Sequence, residues 1–223
     1  MTKKLFFQAV LKFIVGFVLV GLMVFLPAGT FYFFNGWLLM GVLFVPIFTA
    51  GVVMMVKSPE LLRKRLDAKE KKKEQSLVVK LSGLMFLSGF IVAGLDFRFG
   101  WLWLPEWISY AAAAVFLLAY ILYAEVMREN AYLSRTVKVE ENQKVIDTGL
   151  YSVVRHPMYA ATLLLFLSIP LVLGSLISFF VFLTYPFIIS VRIKSEEKLL
   201  REELEGYGEY MNKVRFRLIP YIW

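Results

Sequence analysis

Long apolar runs broken by short polar connections set the organisation of this chain. Four runs reach the roughly 20 apolar residues that a helix needs to cross a hydrocarbon core: Leu5–Leu26, Trp37–Val56, Leu77–Leu95 and Trp107–Met127. A fifth block, Met158–Val191, is too long for one span, and no charged residue lies between His156 and Arg192. Gly174-Ser175 near its middle offers a turn. That divides the block into two legs of about 16 or 17 residues, around 25 Å each at 1.5 Å per residue. The pattern predicts a helical hairpin with thin, tilted or kinked legs. Pro170 and Pro186 each remove a backbone donor and favour kinks within it. The expected fold is all-α, a polytopic integral membrane protein of about six membrane helices with a C-terminal hairpin. Residues 1–127 hold the first four spans, and residues 128–223 hold a polar segment, the hairpin 158–191 and a tail.

Charge placement orients these spans. The connection Lys57–Lys80 carries Lys57, Arg63, Lys64, Arg65, Lys69, Lys71, Lys72, Lys73 and Lys80, interleaved with Glu60, Asp67, Glu70 and Glu74. Lys3 and Lys4 precede the first span, and Arg128–Arg155 and Arg192–Arg217 hold further basic residues. The loop Asp96–Glu106 holds only Arg98, and Pro27–Gly36 holds no basic residue. With six spans, every basic connection falls on one side, the cytoplasmic side by the positive-inside rule. Both termini are then expected in the cytoplasm. The N-terminal stretch is read as a first membrane helix rather than a signal peptide, because the apolar run is too long and Lys12 interrupts it.

Composition agrees. The chain of 223 residues is 59% hydrophobic, against about 45–50% in soluble proteins, so its solvent must be lipid. The net charge of +8 sits where topology demands it, which argues against nucleic acid as a partner. Cysteine is absent, excluding disulfides, thiolate zinc and cysteine nucleophiles. A single histidine, His156, excludes multi-histidine metal sites. Trp101, Trp103 and Trp107 suit an interfacial belt, and Ala111–Ala114 permit close helix packing.

Chemistry concentrates where the hairpin enters and leaves the membrane. The segment Arg128–Arg155 contains Glu129, Asn130, Arg135, Glu140, Glu141, Asn142, Gln143 and Lys144, then the turn-like Asp147-Thr148-Gly149-Leu150-Tyr151. His156 precedes Pro157, which disfavours helix at His156 and suits proline as the first helical residue. Arg155, His156, Tyr159 and free amides at that helix start could hold a carboxylate. On the return, Arg192 and Glu196 share a face at i,i+4. A solvated helix start with Glu197–Arg201 and Lys198–Glu202 pairs is the ordinary reading of such a sequence. The hairpin, however, brings this segment beside His156.

From about Asn130 to Pro220 the chain resembles the isoprenylcysteine carboxyl methyltransferase family, and more widely the membrane phospholipid methyltransferases. The matching residues are Gly149-x-Tyr151, Arg155-His156-Pro157-x-Tyr159, Glu196-Glu197-x-x-Leu200, Tyr207-x-x-Tyr210 and Arg217-Leu218-Ile219-Pro220. The resemblance implies S-adenosyl-L-methionine held on the cytoplasmic face. It implies cofactor contacts from Gln143, Lys144, Val145 and Ile146, from Gly149 and Tyr151, from His156, Pro157, Met158 and Tyr159, and from Glu196 and Glu197. Arg192 matches an arginine that contacts substrate near the reacting group, so Arg192 and Glu196 are the expected catalytic pair. Three positions depart from the family pattern: Leu150 replaces a proline, Gln143 a histidine, and Lys213–Arg217 is a longer tail. These bear on substrate identity more than on the cofactor. The expected activity is carboxyl O-methylation of an isoprenylcysteine-like or other lipophilic acid drawn from the bilayer. The alternatives are phospholipid N-methylation, a sterol-type NADPH reductase, and a non-enzymatic transporter or scaffold.

Overall fold

The computed structural model describes residues 3–66, 73–102, 104–130, 132–133, 139 and 142–223. Asp67, Lys69, Glu70, Lys71, Lys72, Trp103, Arg135, Glu140 and Glu141 lie outside the described residues, as do the side chains of Lys64, Lys73 and Glu74. The described chain is helical: α1 Lys3–Ala28, α2 Phe34–Lys57, α3 Pro59–Leu66, α4 Lys73–Phe99, α5 Glu106–Glu129, α6 Pro157–Val172, α7 Leu176–Phe182, α8 Tyr185–Glu203 and α9 Tyr207–Lys213. A 3₁₀ turn, Gly149–Ser152, precedes α6. Five stretches are long and apolar enough to cross a membrane: α1, α2, Ser76–Phe99 of α4, α5, and Leu176–Glu203. α6 is a shorter apolar helix beside these five. Phe7, Leu11, Ile14, Leu22, Leu26, Leu118, Ile121 and Phe187 all point outward. A surface so apolar over such an extent needs lipid around it, and the protein is an integral membrane protein.

α5 packs along α6, α1 along α4, and α4 against both α7 and α8. Ala112, Ala113 and Ala119 are buried on α5, where small side chains let the backbones approach. Phe116, Phe182, Val172 and Ile193 fill the centre.

The hairpin differs from the expected pair of short apolar legs. Its tip is where the turn was expected: Gly174 has φ +74°, a left-handed conformation that favours glycine, and Ser175 Oγ caps α7 by accepting from Ser178 N. The return leg is longer and broken. Pro186 cannot donate back to the preceding turn, so α7 stops at Leu183-Thr184 before α8 resumes. α8 then runs to Glu203 without interruption, so Arg192–Glu197 lies within a helix and not at the start of one. The tip reaches the far ends of the other spans. Ser175 Oγ donates to Asp96 Oδ2 of α4 at 2.5 Å, and a side chain at Gly174 would collide with Asn35 of α2. Both legs therefore run the full height of the bundle. Asp96, expected in a loop, is inside α4 and buried.

The unforeseen α3 begins after Ser58 with Pro59-Glu60, a proline and an acidic residue in the first turn, which is a usual helix start. It lies at the same end of the bundle as the start of α6. Arg65 reaches Met158, and Lys12 Nζ donates to Leu66 O.

Candidate functional site

The mouth of the hairpin is held by a buried carboxylate. Glu197 turns inward rather than toward Arg201. It accepts from Arg155 Nε on Oε1 and from Arg217 Nε on Oε2, both at 2.8 Å, and its Oε1 lies 3.3 Å from His156 Nε2. Arg155 Nη1 also donates to the carbonyls of Val214 and Arg215 at 2.7 and 2.9 Å. The backbone repeats the tie, because Arg155 N and His156 N donate to the carbonyls of Phe216 and Arg217. Arg155, expected at an anion-holding helix mouth, is tied to Glu197 and the tail and also lines the cleft at that mouth. Buried charges need such partners.

His156 is the N-cap of α6 with Pro157 at the first helical position, as the His-Pro pair implies. Its ring stacks at 5.7 Å on Tyr159. One turn into the helix, the Tyr159 hydroxyl joins the two legs: Arg192 Nε donates to it at 2.9 Å, and it donates to Glu196 Oε2. The i,i+4 spacing of Arg192 and Glu196 thus becomes a bridge across the hairpin.

The other wall comes from the polar segment and the tail. Gly149 has φ +53°, and any side chain there would strike Glu129, whose carboxylate accepts from Leu150 N at 3.0 Å. Asn130 Nδ2 donates to Tyr151 Oη at 3.0 Å, and Tyr210 Oη donates to Tyr151 O at 2.7 Å. Lys213 Nζ joins Asp147 Oδ2 at 2.7 Å, closing α9 onto the turn. Burial pushes the hydroxyls of Tyr151, Tyr207 and Tyr210 well above their ordinary pKa. They stay protonated, and hence donors, at any physiological pH. The Lys213 ammonium beside Asp147 holds that carboxyl below its usual range.

Between these walls lies a cleft open to solvent. Of the expected residues, Gln143, Lys144, Val145, Ile146, Tyr151, His156, Met158, Tyr159, Arg192 and Glu196 line it. Gly149, Pro157 and Glu197 stand behind the lining, where they shape the turn, start α6 and hold His156. Arg155, Asn130, Tyr132, Leu133, Leu200, Leu204, Tyr207 and Tyr210 complete the lining. The motif residues Leu200, Tyr207 and Tyr210 had a sequence signal, whereas Tyr132, Leu133 and Leu204 had none.

The lining suits S-adenosyl-L-methionine. Its aromatic and aliphatic side chains could take a flat base, and its amide, ammonium and carboxylate groups could take polar ends. The Tyr207 hydroxyl is buried without a hydrogen-bond partner, an expensive arrangement unless a ligand supplies one.

The membrane-embedded helical bundle keeps its polar chemistry at the mouth of the C-terminal hairpin. Residues 107–207, just under half of the chain, match the phospholipid methyltransferase family, itself a member of the membrane isoprenylcysteine and phospholipid methyltransferase superfamily. Methyltransferases of that family generally use S-adenosyl-L-methionine. The match starts in α5 and stops at Tyr207, so α1–α4 and the tail that reaches Glu197 lie outside it. No curated protein matches the chain.

Proposed function

We propose that this protein is an S-adenosyl-L-methionine-dependent methyltransferase that O-methylates the carboxylate of a lipophilic acid, isoprenylcysteine-like in kind, entering from the bilayer. The single observation carrying this reading is the Arg192–Tyr159–Glu196 bridge, where the cavity meets the membrane-facing legs of the hairpin. When bound, the cofactor supplies an electrophilic methyl group. Gln143–Ile146, Tyr151, His156, Met158, Tyr159 and Glu196 hold it, with Gly149, Pro157 and Glu197 shaping that set from behind. Arg192 binds and orients the acceptor, since a guanidinium can meet a carboxylate through two parallel hydrogen bonds. Positioning is the main contribution, because a carboxylate is already ionised at neutral pH. Residues 128–223 form the catalytic part on a scaffold of residues 1–127. The site and both termini face the cytoplasm by the distribution of Lys and Arg.

Phospholipid N-methylation is the second reading, favoured by the matched family's description. An ammonium acceptor needs a base. Among the described residues, the carboxylates near the cavity already have partners: Glu129 holds Leu150 N, Glu196 holds Tyr159, and Glu197 holds two arginines. This supports the carboxylate acceptor.

Calorimetry in detergent with S-adenosylhomocysteine and with NADPH separates transferase from reductase; binding of NADPH alone would overturn the proposal. Radiolabel transfer to a prenylcysteine analogue or to phosphatidylethanolamine then separates the acceptors. Base-labile, volatile label is the expected result, and base-stable label on lipid replaces the ester by an amine product.

A further inference from the structure

Arg65 lies in α3, outside the matched segment 107–207. Nothing in the sequence distinguishes it from the other basic residues of its connection. In the structure it leaves them. Its Nη1 and Nη2 approach Met158 Sδ at 3.9 Å, and its guanidinium lies 5.5 Å from the centre of the Tyr123 ring. Its Nε is buried with no hydrogen-bond partner among the described residues. A thioether is a weak acceptor, and an aromatic face stabilises a cation without satisfying its N–H groups. A guanidinium cannot lose its proton to escape this situation.

Charge balance sharpens the point. At the mouth, Glu197 is matched by Arg155 and Arg217, and Glu196 by the Tyr159–Arg192 bridge. Glu129 faces a backbone amide. Among the described residues, no carboxylate pairs with Arg65. Met158 and Tyr159 are adjacent, so Arg65 and Arg192 approach the first turn of α6 from two sides. That turn also presents the positive end of a 16-residue helix. An excess of positive charge and an orphaned donor at one place describe a binding site for an anion.

We propose that Arg65 binds the oxyanion of the methyl acceptor, a carboxylate or a phosphodiester carried on a lipid, opposite Arg192. This rests on the methyltransferase reading for the word acceptor, but the oxyanion site can be read without turnover. Binding is measured in detergent for three probes: N-acetyl-S-farnesylcysteine, its neutral methyl ester, and phosphatidylethanolamine. S-Adenosylhomocysteine affinity reports the fold and the cofactor cavity. Arg65→Gln is expected to weaken binding of the acid about tenfold or more, the size of a lost charge-assisted hydrogen bond. The methyl ester and S-adenosylhomocysteine should be unaffected, and Arg65→Lys should fall between wild type and Gln. Selective weakening of phosphatidylethanolamine instead supports the same oxyanion site with a phospholipid as its source. Three results overturn the proposal: equal binding of acid and ester to the wild type, no change for any probe in Arg65→Gln, or weakened S-adenosylhomocysteine. The last would assign Arg65 to the cofactor's own carboxylate. Absence of methyl transfer to every probe would remove the functional reading while leaving the binding result standing.

Discussion

The two ends of the hairpin are each tied by a buried carboxylate, and the two ties are chemically different. At the tip, Asp96 receives neutral donors only, the hydroxyl of Ser175 and the amide of Leu102 at 3.0 Å. At the mouth, Glu197 receives two guanidiniums and approaches an imidazole. The tip needs a staple: it joins α4 to the α6–α7 turn and nothing there asks for charge. The mouth must keep three cationic or polar side chains in fixed places beside a cavity. A carboxylate among cations does that, because displacing any one partner exposes the others to unbalanced charge.

Removing the mouth carboxylate should therefore do the most damage. Glu197→Ala leaves Arg155 buried without a counter-charge and His156 without its neighbouring carboxylate, and breaking a buried ion pair costs about 3–5 kcal/mol. Thermal unfolding in detergent should show a large drop, together with loss of S-adenosylhomocysteine binding, since His156 loses its support. A variant that melts like wild type would mean the ion network contributes little to the fold.

Two substitutions within the lining come next, and they should separate cleanly. His156→Ala is expected to weaken S-adenosylhomocysteine by about tenfold, a lost packed and hydrogen-bonding ring. Arg192→Ala is expected to lower kcat by about 100-fold with cofactor affinity nearly unchanged, the pattern of an interaction made chiefly in the transition state. Equal loss of turnover and cofactor affinity in Arg192→Ala would contradict its role as the group that orients the acceptor.

The contrast between the ends also marks what sequence could reveal. Apolar runs and basic connections specify the spans because lipid leaves the backbone few other choices. Gly174 specifies the tip, because only a residue tolerant of positive φ turns there easily. His156-Pro157 and the spacing of Arg192 and Glu196 are local signals, and both survive in the structure. The direction of Glu197 is not local. On its own helix it could as well have faced Arg201. What decides is the tail, whose carbonyls from Val214 to Arg217 bond Arg155 and His156 across some sixty residues of chain. No periodicity announces such a pairing. Asp96 is similar: its charge reads as a loop, yet two donors brought in by the fold let α4 continue past it. Arg65 is the extreme case, one basic residue among many until packing leaves its Nε without a partner.

Asp96→Asn tests the tip. The amide keeps the acceptor for Leu102 N but weakens the bond from Ser175, so a loss of about 1–2 kcal/mol is expected. S-Adenosylhomocysteine affinity should not change, since the tip lies at the opposite end of the bundle. Loss of cofactor binding would show that the two ends are coupled through the legs.

The smallest effect is expected at an ion pair that imitates the mouth in composition but not in burial. Asp147 and Lys213 meet at 2.7 Å, with side chains 42% and 66% exposed. Lys213 lowers the pKa of Asp147 in the folded state. A carboxyl whose pKa falls on folding contributes stability above its unfolded pKa and loses that contribution as the pH falls through the folded value. Asp147→Asn should therefore unfold slightly more easily at neutral pH and converge with wild type in acid. Water and salt screen an exposed pair, so raising the ionic strength should erase the difference at neutral pH. The loss in Glu197→Ala should persist in the same salt, because Arg155 and His156 are buried. If both losses vanish together, the mouth is open to solvent and its carboxylate is no more protected than Asp147.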